Sequence, residues 1–181
     1  MPTLIIEDGT IVANANSWIT SAEWDDYNAL YDRTPNATTE DEKAVVLIKA
    51  QRAISTRLTY WGQMVSQTQT TCLPRDWNRY IKGFLIGDDV VPQDFKDAQS
   101  ELAWSIDQGS DPFADQTSDN AKRGAVTGEN SKAGPVSTGA TYSDVGIVFD
   151  PRSMSNYTAT MALLDPYVAG GQGAQVQMVR G

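Results

Sequence analysis

Histidine is absent from the 181 residues, and cysteine occurs once, at Cys72. Without imidazole the chain lacks the side chain that most often serves as general base near neutral pH. Ser-His-Asp and Cys-His nucleophile systems are excluded, as are the usual His-containing zinc sites. A single cysteine excludes an internal disulfide framework and suits a reducing cytoplasm. No apolar run reaches the roughly 18 residues needed to cross a bilayer. The start, Met1-Pro2-Thr3-Leu4, lacks the basic and apolar regions of a signal peptide. Basic residues are also few. Fourteen Lys and Arg against 23 Asp and Glu leave a net charge of −9. Such a balance disfavours binding to phosphates and to anionic membranes, and no basic run marks a local exception. These absences predict a soluble, non-enzymatic protein that needs no cofactor and no metal.

What is present is a set of amphipathic helices. Thr20-Ser-Ala-Glu23 is a capping box, in which Thr20 caps the third backbone N–H and Glu23 reaches back. Trp24, Tyr27, Leu30 and Tyr31 follow on one face. Thr39-Glu-Asp-Glu42 repeats the box and sets carboxylates in the first turn, where the helix dipole favours them. Leu47, Ala50, Ile54, Leu58 and Trp61 then form a stripe ended by Gly62. Pro92 opens a third helix whose buried face is Phe95, Ala98, Leu102 and Ile106, with Gly109 as its stop. Tyr157, Met161 and Leu164 mark a fourth, broken at Asp165-Pro166. The spacings predict helices over about 20–32, 39–61, 92–108 and 154–165.

Between them lie less regular stretches. Residues 3–7 are a short β-prone run ended by Asp8-Gly9. Residues 63–90 read as a long excursion with a short helix or hairpin. Nine of the fourteen glycines fall in 110–181, and 116–144 has little to bury. Val145–Phe149 is a strand candidate, Gly170-Gly-Gln-Gly a joint, and Gln175–Arg180 alternates as an edge-pairing strand would. The predicted fold is mainly α: a small bundle of about four helices with short β segments, long extended arms and a C-terminal tail. Its divisions are a helical core over 1–109, an arm over 110–150, and a final helix with a partner-binding tail over 151–181.

Candidate chemistry is sparse. Asp25-Asp26 point about 100° apart on a helix and read as a solvated face. Asp88-Asp89 read as turn and cap residues, and Asp111, Asp115 and Asp119 as linker. Cys72 reads as a buried, inert thiol. One stretch, Leu73–Lys82, interleaves Arg75, Arg79 and Lys82 with Trp77 and Tyr80. That mixture stacks bases and contacts phosphates. It equally serves protein interfaces, where Trp, Tyr and Arg dominate binding energy. The acidity of the whole favours the protein interface, with single-stranded DNA binding through Arg75, Trp77, Arg79 and Lys82 as the alternative.

Taken in order, several motifs resemble a known family. They are Leu4-Ile-Ile-Glu-Asp-Gly9, Ala13-Asn-Ala-Asn-Ser-Trp18, Lys49-Ala-Gln-Arg-Ala53, Leu73-Pro-Arg75, Val91-Pro92, Gly134-Pro-Val136 and Leu163-Leu-Asp-Pro-Tyr167. This order resembles the head–tail connector adaptors of tailed bacteriophages, proteins often labelled DnaT-like single-stranded-DNA-binding proteins. Leu73 departs from the family's aromatic before Pro-Arg, and residues 110–133 follow no pattern of the family. The resemblance implies a virion neck protein present in the host cytoplasm during assembly. It implies a ring of neighbouring copies, twelve by the resemblance, beneath the portal protein. That ring would extend the DNA channel, let DNA pass without specific binding, and carry the next connector or tail component. Arg75, Trp77, Arg79, Tyr80, Tyr167, Val176, Met178, Val179 and Arg180 are then the expected portal or neighbour contacts.

Overall fold

The computed structural model describes residues 2–77, 79–113, 126–132, 137–142, 154 and 156–169. The expected strand at 145–149, the joint at 170–174 and the tail at 175–180 lie outside the described residues. Among the described residues the fold is mainly α, with four helices and a few short strands.

Both capping boxes form. Glu23 N donates to Thr20 Oγ1 at 3.2 Å and Thr20 N to Glu23 Oε2 at 2.7 Å, which starts α1, Ser21–Leu30. Glu42 N donates to Thr39 Oγ1 at 3.3 Å and Thr39 N to Glu42 Oε2 at 2.9 Å, which starts α2, Glu40–Arg57. The second helix stops four residues short of the expected end. Beyond it Trp61 N donates to Tyr167 O and Ala169 N to Thr59 O, with a bridge between Tyr60 and Val168. The backbone at 59–61 is thus drawn into pairing with a segment a hundred residues away in sequence. Gly62, at φ +71, completes the stop.

The excursion expected over 63–90 to hold a short helix or hairpin holds two short ladders. The first joins β1, Gln63–Met64, to β2, Arg75–Asp76. The second is a hairpin of β3, Tyr80–Ile81, and β4, Phe84–Leu85. Its turn is Lys82-Gly83 with φ of +51 and +85, and two left-handed residues suit the right-handed twist of a hairpin. The third helix, α3, Gln93–Asp107, buries Phe95, Ala98 and Leu102 as expected; Pro92 is its cap residue and supplies no side-chain bond. The last helix, α4, Thr158–Leu164, is shorter than predicted and runs into a 3-10 turn, Asp165–Tyr167. The β-prone start reduces to a single parallel bridge, Ile6 with Ser17.

The core is aromatic at its centre. Phe95 meets Trp18 edge-on at 5.5 Å, Tyr60 at 5.3 Å and Tyr167 at 5.0 Å between ring centres. Gln99, fully buried, ties three elements together. Its Oε1 accepts from Trp18 N at 2.9 Å, and its Nε2 donates to Ser17 Oγ at 2.8 Å and to Leu47 O at 3.0 Å. Glu7 is buried as well, its carboxylate accepting from the N–H groups of Gly9, Ile11 and Val12 at 2.9–3.0 Å. Three amide donors satisfy a charge that burial would otherwise penalise.

The chain forms two units, one of residues 1–112 with 154–181 and one of 113–153. Within the second, β5, Val126–Lys132, pairs antiparallel with β6, Ser137–Tyr142. A ladder meets its backbone hydrogen bonds locally, so a stretch with little to bury still gains regular structure.

Candidate functional site

The stretch 73–82 was expected to present its aromatic and basic side chains together, and the fold divides them. Arg75 turns inward. Its Nε donates to Trp61 O at 2.9 Å and its Nη2 to Gly62 O at 2.7 Å, with longer contacts to the carbonyls of Tyr60 and Cys72 at 3.4 Å. Burial, the largest influence, lowers its pKa below the usual arginine value. The guanidinium is therefore a clamp that holds the chain just after α2. Trp77 is buried at 1% exposure, packed against Phe95 and Tyr167. Tyr167 is also in the core, and its hydroxyl donates to Asp94 Oδ2 at 2.5 Å. Burial raises the Tyr167 pKa and the Asp94 carboxylate adds to it. Trp77 and Tyr167 thus lie in the core and not at the surface, while Arg75 is half-buried with its donors on backbone carbonyls. Val176, Met178, Val179 and Arg180 lie outside the described residues.

Arg79 and Tyr80 do reach the surface. The guanidinium of Arg79 lies 4.4 Å from the centre of the Trp61 ring, which is 41% exposed. Tyr80, Phe84 and Leu85 on the hairpin are 72%, 73% and 69% exposed, while Ile81 beside them is buried and anchors it. Lys82 at the turn donates to Asp94 Oδ2 at 2.7 Å. A cleft of about 380 Å³ opens between Trp61, Gly62, Gln63, Asp76, Trp77 and Arg79. Gly62 permits this arrangement, since a Cβ there would sit 2.1 Å from Asp76 O. Exposed rings of this size, one carrying a cation on its face, can stack planar groups, and Arg79 with Lys82 can meet anions.

Other candidates resolve into structure. Asp25 accepts from Lys43 Nζ at 2.6 Å. Among the described residues no group of three or more His, Cys, Asp or Glu gathers as for a metal ion. Cys72 is buried, and its thiol is pushed up to about 12, chiefly by burial. The face of α1 is less covered than its spacing predicts: Trp24 is buried, whereas Leu30 is 81% and Tyr31 55% exposed. Tyr27 donates to Glu101 Oε1 at 2.9 Å, where Arg33 Nη1 also binds at 3.0 Å.

Sequence reasoning missed Trp61, counted there as helix core, and Phe84 as a surface ring. Gly62 directly after Trp61, and Lys82-Gly83 between Tyr80-Ile81 and Phe84-Leu85, were the available signals.

A family model described as "Putative DnaT-like ssDNA binding protein" matches residues 2–181. No curated protein and no solved structure matches the chain. The family match corrects the connector-adaptor reading. With that reading go the virion assembly role, the ring of copies beneath a portal, the downstream tail partners and the channel wall that DNA passes without binding. The physical reason lies in the charge argument. A net charge of −9 is a sum over the chain and does not exclude a local surface of exposed rings, on which stacking would need few cations.

Proposed function

Since the chain belongs to the DnaT-like ssDNA binding protein family, we propose that it is a non-enzymatic module that holds single-stranded DNA on the surface of residues 61–85. Trp61, Tyr80 and Phe84 take bases by stacking; Arg79 and Lys82 meet phosphates. The observation that carries this reading is the Arg79 guanidinium 4.4 Å over the half-exposed Trp61 ring, beside a hairpin whose rings face solvent. Duplex DNA hides its base faces, so an unpaired strand is the form this surface suits.

Two cations imply a shallow salt dependence, a slope of roughly −1.4 in log K against log salt for two phosphates on a single strand. Each stacked ring contributes about 1–3 kcal/mol. Fluorescence anisotropy with a labelled thymidine oligonucleotide at moderate salt tests the reading. Binding in the micromolar range is expected, weakened by Trp61→Ala and Phe84→Ala. Absence of binding at micromolar protein overturns it.

A further inference from the structure

The Trp61–Arg79 cleft has a feature that phosphate binding does not explain: a carboxylate. Asp76 lines it, and in the β1–β2 ladder Asp76 stands directly opposite Gln63, both exposed. Directly opposed residues of an antiparallel pair share a face, so the carboxylate and the Gln63 amide lie side by side. An acidic group beside Arg79 weakens its hold on a phosphate. Arg79 therefore meets phosphate on a strand that leaves the cleft empty, and turns to the base edge when an uncharged ring with its own N–H donors fills it. We propose that this cleft is a base-selective subsite whose preferred occupant is an unpaired guanine. The inference rests on the single-stranded-DNA reading above and specifies the base at that site.

The chemistry of the four bases decides the choice. Guanine alone presents two adjacent donors, N1–H and N2–H₂, which match the two oxygens of a carboxylate. On its other edge O6 and N7 are adjacent acceptors, which match the fork of an arginine. Adenine and cytosine each offer one amino group and no paired acceptors of the O6/N7 kind, and thymine offers a single ring N–H. Asp76 already has an interaction within the chain, so a guanine would share the carboxylate, which when ionised has about four lone-pair sites.

The geometry accommodates the base. A volume of about 380 Å³ admits one heterocycle. Trp61 supplies the stacking face, and the largest purine surface gains most from it. Arg79 is exposed and rests on that ring. A base stacking on that face requires Arg79 to swing off it, and a rotamer change would bring its fork to the O6/N7 edge of the base.

The test uses labelled oligonucleotides of about 12 nucleotides, within the span of known single-strand sites. One is all thymidine, and three others carry a single central guanine, adenine or cytosine, which avoids guanine quadruplexes. The guanine oligonucleotide is expected to bind about tenfold tighter than the thymidine one. In Asp76→Asn that ratio falls to near one, and Arg79→Gln reduces it independently, with thermal melts confirming that both variants fold. Equal affinity for all four oligonucleotides overturns the inference while leaving single-strand binding intact. A guanine preference that survives both substitutions overturns it as well. No binding by any oligonucleotide overturns the single-strand reading, and this inference with it.

Discussion

Lys82 Nζ and Asp94 Oδ2 are 2.7 Å apart, and the same carboxylate oxygen accepts the Tyr167 hydroxyl. The cation at the hairpin tip is therefore held by an internal carboxylate that a DNA phosphate must displace. Asp94→Asn keeps an acceptor for Tyr167 and frees Lys82. We predict tighter single-strand binding by about twofold to fivefold, the worth of a partly exposed ion pair. The salt slope should stay at roughly −1.4, since Lys82 is already one of the two cations that meet phosphates. Titrations at three salt concentrations read both quantities, and an affinity no tighter than wild type sinks the prediction.

Gly62 holds the turn between α2 and β1 at φ +71, with the carbonyl of Asp76 where a side chain would be. Gly62→Ala should destabilise the fold by at least roughly 1–2 kcal/mol from the left-handed backbone alone. The clash with Asp76 adds to that. Chemical denaturation measures it, and a loss below about 0.5 kcal/mol would show that the turn relaxes freely.

Gln99 makes three hydrogen bonds in the core. Gln99→Leu leaves the Trp18 amide without its partner and takes a second donor from the Leu47 carbonyl, which keeps its bond within α2. One orphaned group gives a loss of roughly 1–3 kcal/mol. A variant that unfolds with wild-type midpoint would mean that water reaches this amide.

Glu42 gives a pH signature. Hydrogen bonds from the backbone N–H of Thr39, and next that of Thr38, hold its carboxyl below the ordinary value of 4.5. A pKa depressed in the folded state contributes stability above the unfolded value, lost as pH falls through the folded one. The melting temperature of wild type should thus converge on that of Glu42→Gln as pH falls from above 4.5 through the depressed pKa. A gap that stays constant from pH 7 to pH 3 contradicts this.

Cys72 should be chemically silent. With burial raising its thiol to about 12, thiolate is scarce at neutral pH and reagents cannot reach it. Ellman's reagent should label it only on unfolding, in step with the loss of helical circular dichroism. Rapid labelling of folded protein would place the thiol at the surface.

Helix beginnings were legible because a capping box is written within four residues: Thr20 to Glu23 and Thr39 to Glu42 both formed as read. The end of α2 was not. Trp61 has helical spacing from Leu58, yet the backbone at 59–61 pairs with Tyr167 and Ala169, partners that no local pattern announces. The same limit applies to the site. Composition located an aromatic and basic stretch at 73–82. Which side chains turn inward depends on β1, β2 and α3, so Arg75 became a clamp and Trp77 core while Arg79 and Tyr80 faced out. The uncovered Leu30 and Tyr31 show the converse, since periodicity marks an apolar face but not whether the chain has anything to lay on it.

Gln99 also orders events in time. Its three hydrogen bonds span 81, 82 and 52 residues of sequence. Contacts so distant are slow to close, because the chain must lose loop entropy before any of them forms. The first two helices, though well capped, cannot satisfy the Trp18 amide until α3 has been synthesised and has docked. During translation the N-terminal half is therefore committed to wait, and a ribosome paused before Gln99 would hold a chain that has helices but no finished interior.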